Sequence, residues 1–312
     1  MRRSFARWAV GVSALALCLI LAGSAAAQDE EEAPKPRIGV TLHPYYSWVR
    51  NIVGDKMDVV PIIPANADPH SYQPRPVDLA NLKGLSAIVV NNLGHDEFIK
   101  PMLKSAGQEN LKQIEPNRGV PLIKIHIDVP EGEDASQVAY NSHSYLSITS
   151  GTQQIANIAQ DLGSIDPDNA DFYRANARSY SKRLRRLLGN ALAEINKMDT
   201  SKASIASVHD GYSYILQELG LNVVAVIQPR HGIEPNPRQL QDTIKRIKTA
   251  NANILFTELD YDKKYVDIIT AETGCKLYSL SHVSGGEYTD DLFEAKMEKN
   301  LNTIVEAVRD TQ

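Results

Sequence analysis

The chain has little cysteine, and this limits how it can be stabilised and how it can be anchored. It contains two cysteines, of which Cys18 lies inside an apolar N-terminal run and Cys275 lies far downstream. Removal of the N-terminal segment during export would leave Cys275 as the only thiol, which excludes an intramolecular disulfide. Burial of apolar side chains must then stabilise the fold, and about 285 residues suffice for about two hydrophobic cores.

The chain also lacks an excess of positive charge. Its 33 lysine and arginine residues are outnumbered by 38 aspartate and glutamate residues, giving a formal net charge of -5. An acidic surface is a poor partner for nucleic acid or for anionic membrane lipids, so we expect no nucleic-acid partner. No internal repeat of about 20 to 50 residues is visible.

The first 27 residues have the pattern of a cleaved secretory signal peptide. Three arginines lie in residues 1–7, an apolar run covers residues 8–22, and residues 25–27 offer an A-x-A cleavage site before Gln28. The run is short for a spanning helix, which needs about 20 residues. A lipoprotein would need a cysteine after the apolar run, whereas Cys18 lies inside it, so lipidation is not expected. The mature protein is expected in the periplasm, where loss of three arginines brings its charge to -8. The acidic, proline-containing residues 28–36 should form a disordered tether.

From residue 37 onward, short β-branched apolar runs alternate with segments of helical period. The predicted strands are residues 38–42, 59–63, 87–91, 121–125, 204–208, 223–227, 254–258 and 276–280. The predicted helices are residues 74–83, 97–106, 146–162, 212–219, 237–249, 263–273 and 291–308. This alternation predicts an α/β fold in two lobes, each a mostly parallel sheet flanked by helices. The N-terminal lobe is placed at residues 37–165 and the C-terminal lobe at residues 200–312.

Residues 166–199 are predicted to join the lobes as one long, rigid helix. Asp166 is placed as the N-cap and Pro167 at the first helical position, and large apolar side chains recur at three- and four-residue steps. A helix of about 30 residues would be about 45 Å long. Because a continuous helix restricts relative motion, closure of the lobes on a ligand should be small.

Four histidines lie where a predicted element changes into a loop: His70, His143, His209 and His282. In open α/β sheets, ligands bind beyond the carboxyl ends of the strands. Imidazole binds divalent transition metals well, and three or four imidazoles suit tetrahedral zinc. We therefore predict that the four rings converge on one metal ion in the cleft between the lobes.

Other side chains have less specific contexts. His95 also follows a strand and is interpreted as a histidine at the entry of a helix near the cleft. Two other roles for His95 are left open: an alternative metal ligand, or a residue that supports a ligand. His231 is expected at the cleft rim, whereas His43 and His126 are interpreted as structural. Three carboxylates are candidates to hold the outer nitrogen of a ligating ring: Asp68, Asp210 and Glu258.

Longer stretches surround the first three of the four histidines. They are PANADPHSYQPRPVD at residues 64–78, NSHSYL at residues 141–146 and VHDGYSY at residues 208–214. Together these motifs resemble those of the zinc- and manganese-binding proteins that feed ABC importers, and the resemblance covers nearly the whole mature chain. A further stretch, EPNPRQL at residues 234–240, matches another pattern of that family in a shortened form. The resemblance implies that His70, His143 and His209 bind the metal.

The resemblance leaves the fourth ligand and the metal open. The family usually supplies an aspartate after the last strand, where this chain has SHVSGGEYTDD. His282 is preferred there over Asp290, and water is a further alternative. Members that look manganese-selective carry a glutamate at the position of His209, so we expect Zn²⁺, with Mn²⁺ less favoured. Residues 128–140 contain no histidine, so the histidine-rich loop of many zinc-specific members has no counterpart.

The predicted function is that of a monomeric periplasmic binding protein. It would capture a divalent transition metal and deliver it to an ABC permease in the inner membrane, without being an enzyme. A secreted zinc hydrolase is the main alternative, because three histidines and a water also describe a catalytic site. No H-E-x-x-H motif occurs, however. A scaffold that retains the fold with a vestigial site is a third possibility.

Overall fold

Two four-stranded parallel sheets organise the computed structural model, which describes residues 34–125, 139–228, 236–258 and 263–312. The first sheet has the order β2-β1-β3-β4 and the second the order β10-β9-β7-β8. The strands of the first sheet are β1 (Arg37–Val40), β2 (Asp58–Pro61), β3 (Ala87–Val89) and β4 (Gln113–Ile114). Those of the second are β7 (Ile205–His209), β8 (Val223–Gln228), β9 (Ile254–Glu258) and β10 (Lys276–Leu280). Two further strands, β5 (Lys124–Ile125) and β6 (Ala139–Tyr140), form an antiparallel pair.

Helices connect the strands and cover the sheets. They are α1 (His43–Val53), α2 (Ile99–Ser105), α3 (Ile148–Ile165), α4 (Ala170–Ile195), α5 (Ser213–Glu218), α6 (Pro237–Thr249), α7 (Lys263–Thr273) and α8 (Leu292–Arg309). Short 3-10 helices lie at Pro76–Leu82, Ser144–Leu146, Pro167–Asn169, Thr200–Lys202 and Asp210–Tyr212. The predicted α/β fold with two parallel sheets flanked by helices is confirmed. Among the described residues, none of the helices is both long enough and apolar enough to cross a bilayer.

Three element predictions for the N-terminal half are wrong in detail. Helix α1 was not predicted, because its aromatic and β-branched residues have weak helix propensity and are stabilised here by burial. The fourth strand of the sheet is β4. Of the predicted strand 121–125, only Lys124–Ile125 forms a strand, and it pairs antiparallel with β6. The predicted helix 74–83 is a 3-10 helix. The predicted signal peptide and most of the tether fall in residues 1–33, outside the described residues.

Helix α4 joins the two halves and is about 39 Å long at 1.5 Å per residue. It starts later than predicted, because Pro167–Asn169 forms a 3-10 turn first. Asp166 precedes that turn, but its carboxylate accepts hydrogen bonds from the side chains of Asn169 and Tyr173 and does not cap the backbone. Helix α4 packs against α1, α3 and α8.

One continuous hydrophobic core contains residues of both halves, from Ile38 in β1 to Val308 in α8. Within it, the ring of Trp48 in α1 meets the ring of Phe293 in α8 edge-on at 5.0 Å between centroids. Ser47 in α1 donates a hydrogen bond of 2.6 Å to the carbonyl of Asp290. Dense packing resists continuous deformation, so relative motion of the halves is expected to be small.

The N-terminus of α3 is capped by a residue from the other half of the chain. The carboxylate of Glu218, the last residue of α5, accepts hydrogen bonds from the backbone amides of Ile148 at 2.8 Å and Thr149 at 2.7 Å. Ser147 adds a local cap by accepting a hydrogen bond from the amide of Ser150. A carboxylate at this end of a helix satisfies amides that have no intrahelical partner and opposes the positive end of the helix dipole.

Glu218→Ala is therefore expected to lower the free energy of unfolding by about 1 to 3 kcal/mol, because it leaves charge-assisted hydrogen bonds unmade. Urea denaturation of the metal-free protein measures this. The matched control is Gln217→Ala, which changes an exposed neighbour on the same helix. Equal midpoints for the two variants would contradict the capping role.

Candidate metal centre

Four histidines follow strands of the two four-stranded sheets, and a fifth, His143, lies close to them. His209 is the last residue of β7, and His282 follows β10 by two residues. His70 lies in the loop after β2 and His95 in the loop after β3, whereas His143 directly precedes the 3-10 turn Ser144–Leu146. The carboxyl ends of both sheets therefore contribute imidazoles to one place.

The donor atoms of these rings lie close together. The Nε2 atom of His143 lies 3.0 Å from Nε2 of His70 and 3.3 Å from Nε2 of His209. One ligand atom each from His70, His95, His143 and His282 lie within 4.8 Å of one another. Atoms bound to a common metal at about 2.1 Å must be separated by no more than about 4.2 Å, so this cluster is close to a coordination sphere.

A second group of donors overlaps the first. His209, Glu258 and His282 also offer ligand atoms within 4.8 Å of one another. Glu258 is the last residue of β9, the strand between β7 and β10 in the sheet. The carboxylate candidate Glu258 is thus part of the donor cluster itself, and His282 belongs to both groups.

Side-chain oxygens lie at the Nδ1 atoms of three of the rings and orient them. The Nδ1 atom of His143 lies 2.8 Å from Oδ1 of Asn141, and Nδ1 of His282 lies 3.1 Å from Oγ of Ser284. Nδ1 of His95 lies 3.4 Å from Oγ of Ser142. A partner at Nδ1 fixes the tautomer and turns Nε2 towards the metal position.

Asn141 is itself held in place. Its side-chain amide donates to the carbonyl of Asp210 at 2.9 Å and to the carboxylate of Asp210 at 3.2 Å. The backbone carbonyl of Asn141 accepts a hydrogen bond from the hydroxyl of Tyr214 at 2.8 Å. The carboxylate candidate Asp210 therefore acts on His143 through Asn141, and it links the loops of His143 and His209.

The loop of His70 is fixed by two aspartates. The carboxylate of Asp68 accepts hydrogen bonds from the backbone amide of His70 at 3.0 Å and from the hydroxyl of Ser71 at 2.8 Å. Asp78 accepts hydrogen bonds from Tyr72 and Arg75. The adjacent Arg75 side chain lowers the pKa of Asp78 to about 2. The loop is thus held in one conformation by its own side chains.

Burial keeps the centre of the cluster uncharged. Desolvation holds the pKa of His143 well below its usual value, and the neighbouring histidines, His282 first, lower it further. Only 4% of His143 is exposed. Because a metal ion binds the neutral imidazole, this environment keeps His143 ready to bind at neutral pH.

Gly211 lies against the cluster. A Cβ atom at this position would lie 2.9 Å from Cδ2 of His209, 2.9 Å from Nε2 of His282 and 3.1 Å from Cγ of His143. The glycine therefore provides the space in which the three rings meet.

The alternative fourth ligand Asp290 and His43, which was interpreted as structural, lie outside both donor groups. The carboxylate of Asp290 forms an ion pair with Arg50 of α1 at 2.9 Å and is 57% exposed, outside both donor groups. His43 is buried against Tyr288, with centroids 4.2 Å apart, and its Nε2 lies 2.9 Å from the carbonyl of Ala65. Burial lowers the pKa of His43 to about 4. His126 and His231 are outside the described residues.

His95 is the cluster member that sequence reasoning left undecided. It was preferred as a helix-entry histidine, yet it stacks on His70 at 3.9 Å between ring centroids. The available signal was its place after β3, since the carboxyl ends of neighbouring strands meet at one edge of a sheet. No surrounding motif distinguished it from an ordinary loop histidine.

The chain is similar over almost its whole length to proteins that bind metals outside the cytoplasm. A family model described as ZnuA, zinc-uptake complex component A periplasmic, matches residues 38–307. The high-affinity zinc uptake system protein ZnuA of Bacillus subtilis is 25% identical over 290 residues, covering 90% of each chain. The manganese ABC transporter substrate-binding lipoprotein PsaA of Streptococcus pneumoniae is 22% identical over 302 residues, covering 94% of this chain and 96% of PsaA.

Solved structures of substrate-binding proteins are also similar to this chain in sequence and in fold. The substrate-binding protein FpvC of Pseudomonas aeruginosa in complex with Ni²⁺ is 44% identical with a TM-score of 0.81, covering 89% of this chain and 98% of FpvC. FpvC was also solved in complex with Mn²⁺. A crystal structure of ZnuA is 26% identical with a TM-score of 0.73, covering 88% of this chain and 99% of that chain.

Proposed function

The chain belongs to the ZnuA family of periplasmic metal-uptake components, and from this premise we propose that its histidine cluster captures a divalent transition metal for an ABC permease in the inner membrane. The observation that supports this most is the meeting of five imidazoles from both halves of the chain at one buried point. Packing so many polar rings together without a ligand would be unfavourable. A bound cation removes that cost.

We propose that zinc suits this site better than manganese. Imidazole is a preferred ligand of zinc, whereas manganese favours carboxylate and carbonyl oxygens, and Glu258 is the one carboxylate in the two donor groups. Curated relatives are named for either metal, and FpvC was solved with Ni²⁺ and with Mn²⁺. The imidazole-rich donor set is the reason for placing zinc before manganese.

Delivery rather than catalysis is the proposed role. A catalytic zinc keeps an open position for water or substrate and needs a positioned general base. Here the donors exceed the three that such a site uses, so they surround the ion. The family consists of transport components, and we propose that this chain likewise lacks enzymatic activity.

The remaining features of the proposal concern the mature protein. We propose a monomer that begins after Ala27. Cleavage is preferred over lipid anchoring because Cys18 lies inside the apolar run. The proposed organisation is an N-terminal lobe at residues 37–165, a linking helix at residues 166–199 and a C-terminal lobe at residues 200–312.

Elemental analysis of the natively exported protein tests the function. We expect about one equivalent of a first-row transition metal, and we expect it to be lost in a triple alanine variant of His70, His143 and His209. The matched control is Asp290→Asn, which changes the exposed alternative outside both donor groups. Equal metal content in all three proteins would contradict the proposal.

Metal affinity is expected to fall as the pH is lowered below about 6.5, where imidazoles of ordinary pKa take up protons. The neutral ring binds the metal, so affinity is full above this range and is lost as protons compete. His143 opposes the loss, because its pKa is held well below the usual value. Zinc titrations at about pH 7.5 and about pH 5 measure the effect, and equal affinities would contradict imidazole ligation.

A further inference from the structure

We infer that residues 281–290 form a strap that opens to let the metal ion pass, and that His43 and Tyr288 hold this strap closed. The strap directly follows β10 and contains His282. Its opening sets how fast the ion enters and leaves. The inference rests on the proposed function and concerns the regulation of the same site.

The burial of the histidine cluster requires a segment that moves. Four of its five imidazoles are no more than 9% exposed: His95, His143, His209 and His282. An ion among these rings is almost enclosed by protein. The two halves share one hydrophobic core, and dense packing resists a large rotation of one half against the other. Local opening of a surface segment is the movement that such a core allows.

Both ends of the strap are fixed. At its start, the amide of Ser281 donates to the side-chain carbonyl of Asn300 at 2.7 Å, and the side-chain amide of Asn300 donates back to the carbonyl of Ser281 at 2.8 Å. At its end, the carbonyl of Asp290 accepts hydrogen bonds from Ser47 at 2.6 Å and Asn51 at 2.7 Å. Movement is therefore confined to the residues between these two points.

The middle of the strap is held by a set of contacts with the other half of the chain, which we call the clasp. The hydroxyl of Tyr288 donates to the carbonyl of Ile63 at 3.0 Å, and the amide of Gly286 donates to the carbonyl of Ala65 at 3.1 Å. Nε2 of His43 donates to the same Ala65 carbonyl at 2.9 Å. The rings of His43 and Tyr288 stack with an interplanar angle of 9°. The clasp thus consists of three hydrogen bonds and one ring stack.

The clasp joins two loops that each carry an imidazole of the cluster. Ile63 and Ala65 lie in the loop between β2 and His70, whereas Tyr288 lies in the strap that carries His282. The centroids of these two imidazoles are 5.7 Å apart. Opening of the clasp lets the two loops separate and exposes the centre. Because no hydrogen bond of the clasp involves a ring of the cluster, we expect its strength to be the same with and without metal.

The backbone of the strap is strained beside its ligand. Val283, which follows His282, has a φ of 60°, a conformation that β-branched residues rarely adopt. Such a residue persists only where surrounding contacts hold it. Gly286 and Glu287 in the middle of the strap are exposed, so this part can lift without uncovering the core. The closed conformation therefore depends on the clasp.

The rates of zinc uptake and release test the clasp. Stopped-flow mixing of the zinc-loaded mature protein with excess chelator measures release, and mixing of the metal-free protein with Zn²⁺ measures uptake. Tyr288→Phe removes one hydrogen bond and keeps the ring, so we expect both rates to rise about threefold to tenfold. Tyr288→Ala also removes the stack and should raise both rates more than about tenfold. The Kd should change less than about threefold, because the clasp does not distinguish the two states.

The control is Tyr278→Phe, which removes a hydroxyl that donates to Asp310 at 2.6 Å, away from the clasp. We expect wild-type rates for this variant. An unchanged release rate in Tyr288→Ala would overturn the inference. A raised Kd with unchanged uptake would also overturn it, since the clasp would then only position a ligand. In both cases the proposed function would stand, whereas failure of the wild-type protein to bind Zn²⁺ would overturn both.

Hydrogen exchange in the unaltered, zinc-loaded protein gives a second measurement that requires no variant to fold. The amide of Gly286 belongs to the clasp, whereas the amide of Ile88 donates to the carbonyl of Lys112 inside the first sheet at 2.9 Å. We expect the Gly286 amide to exchange at least about a hundredfold faster, because local opening breaks the clasp and leaves the sheet intact. Equal protection of the two amides would show that the strap opens only on global unfolding, which would overturn the inference.

Discussion

Replacing His143 with alanine is expected to lower the affinity for metal by more than about a hundredfold. This is a larger loss than the one caused by removing a residue that only supports a ligand. The ring of His143 lies 4.4 to 5.0 Å, between centroids, from each of the other four histidines, and its Nε2 lies 3.0 Å and 3.3 Å from the corresponding atoms of His70 and His209. Its removal deletes a donor from the middle of the cluster. Isothermal titration with Zn²⁺ measures the change.

The control for His143→Ala is a change at the supporting residue. Asn141→Ala removes the oxygen at 2.8 Å from Nδ1 of His143 but keeps the ring. Its expected effect is smaller, about tenfold to a hundredfold. Circular dichroism of both metal-free variants shows whether the fold is retained. If His143→Ala bound zinc as tightly as Asn141→Ala does, the central position of His143 would be wrong.

Gly211→Ala is expected to reduce metal affinity by about a hundredfold without unfolding the protein. The added methyl group would lie 2.9 Å from both His209 and His282 and 3.1 Å from His143. Three rings must then move, and displacements of about 1 Å at a preorganised site have effects of this size. The measurements are a zinc titration and a thermal melt of the metal-free protein.

Gly189→Ala provides the matched control for the substitution at Gly211. Gly189 lies in α4, and a Cβ atom there would meet nothing within 4 Å. Alanine is the better helix former by about 1 kcal/mol, so this variant should bind metal as the wild type does and be at least as stable. Similar zinc affinities for the two alanine variants would show that the space at Gly211 is not required.

The C-terminal sheet could be predicted almost completely from the sequence. Its strands are apolar runs because both faces of a parallel sheet are covered, and Ile254–Glu258 and Lys276–Leu280 have the predicted bounds. Helix α1 could not be predicted, since tertiary burial of His43–Val53 overrides weak propensity. Strand β4 has two residues and is too short to show a period.

The candidate site could be predicted in part. The four histidines were identified because each follows or precedes a regular element, and the structure brings their rings together. His95 and Glu258 were not separated from ordinary loop and strand-end residues, because their closeness to the cluster depends on how neighbouring strands align. Asp290 remained an alternative in the sequence, whereas the structure pairs its side chain with Arg50.

The shared core also determines when the chain can finish folding. Helix α8 follows every other described element in sequence, yet its Phe293 packs on Trp48 near the beginning of the first half. The first half therefore exposes apolar surface until α8 arrives. If the chain crosses a membrane from its N-terminus, as proposed, it would stay incompletely folded until nearly all of it had emerged. Metal loading would then follow the end of translocation.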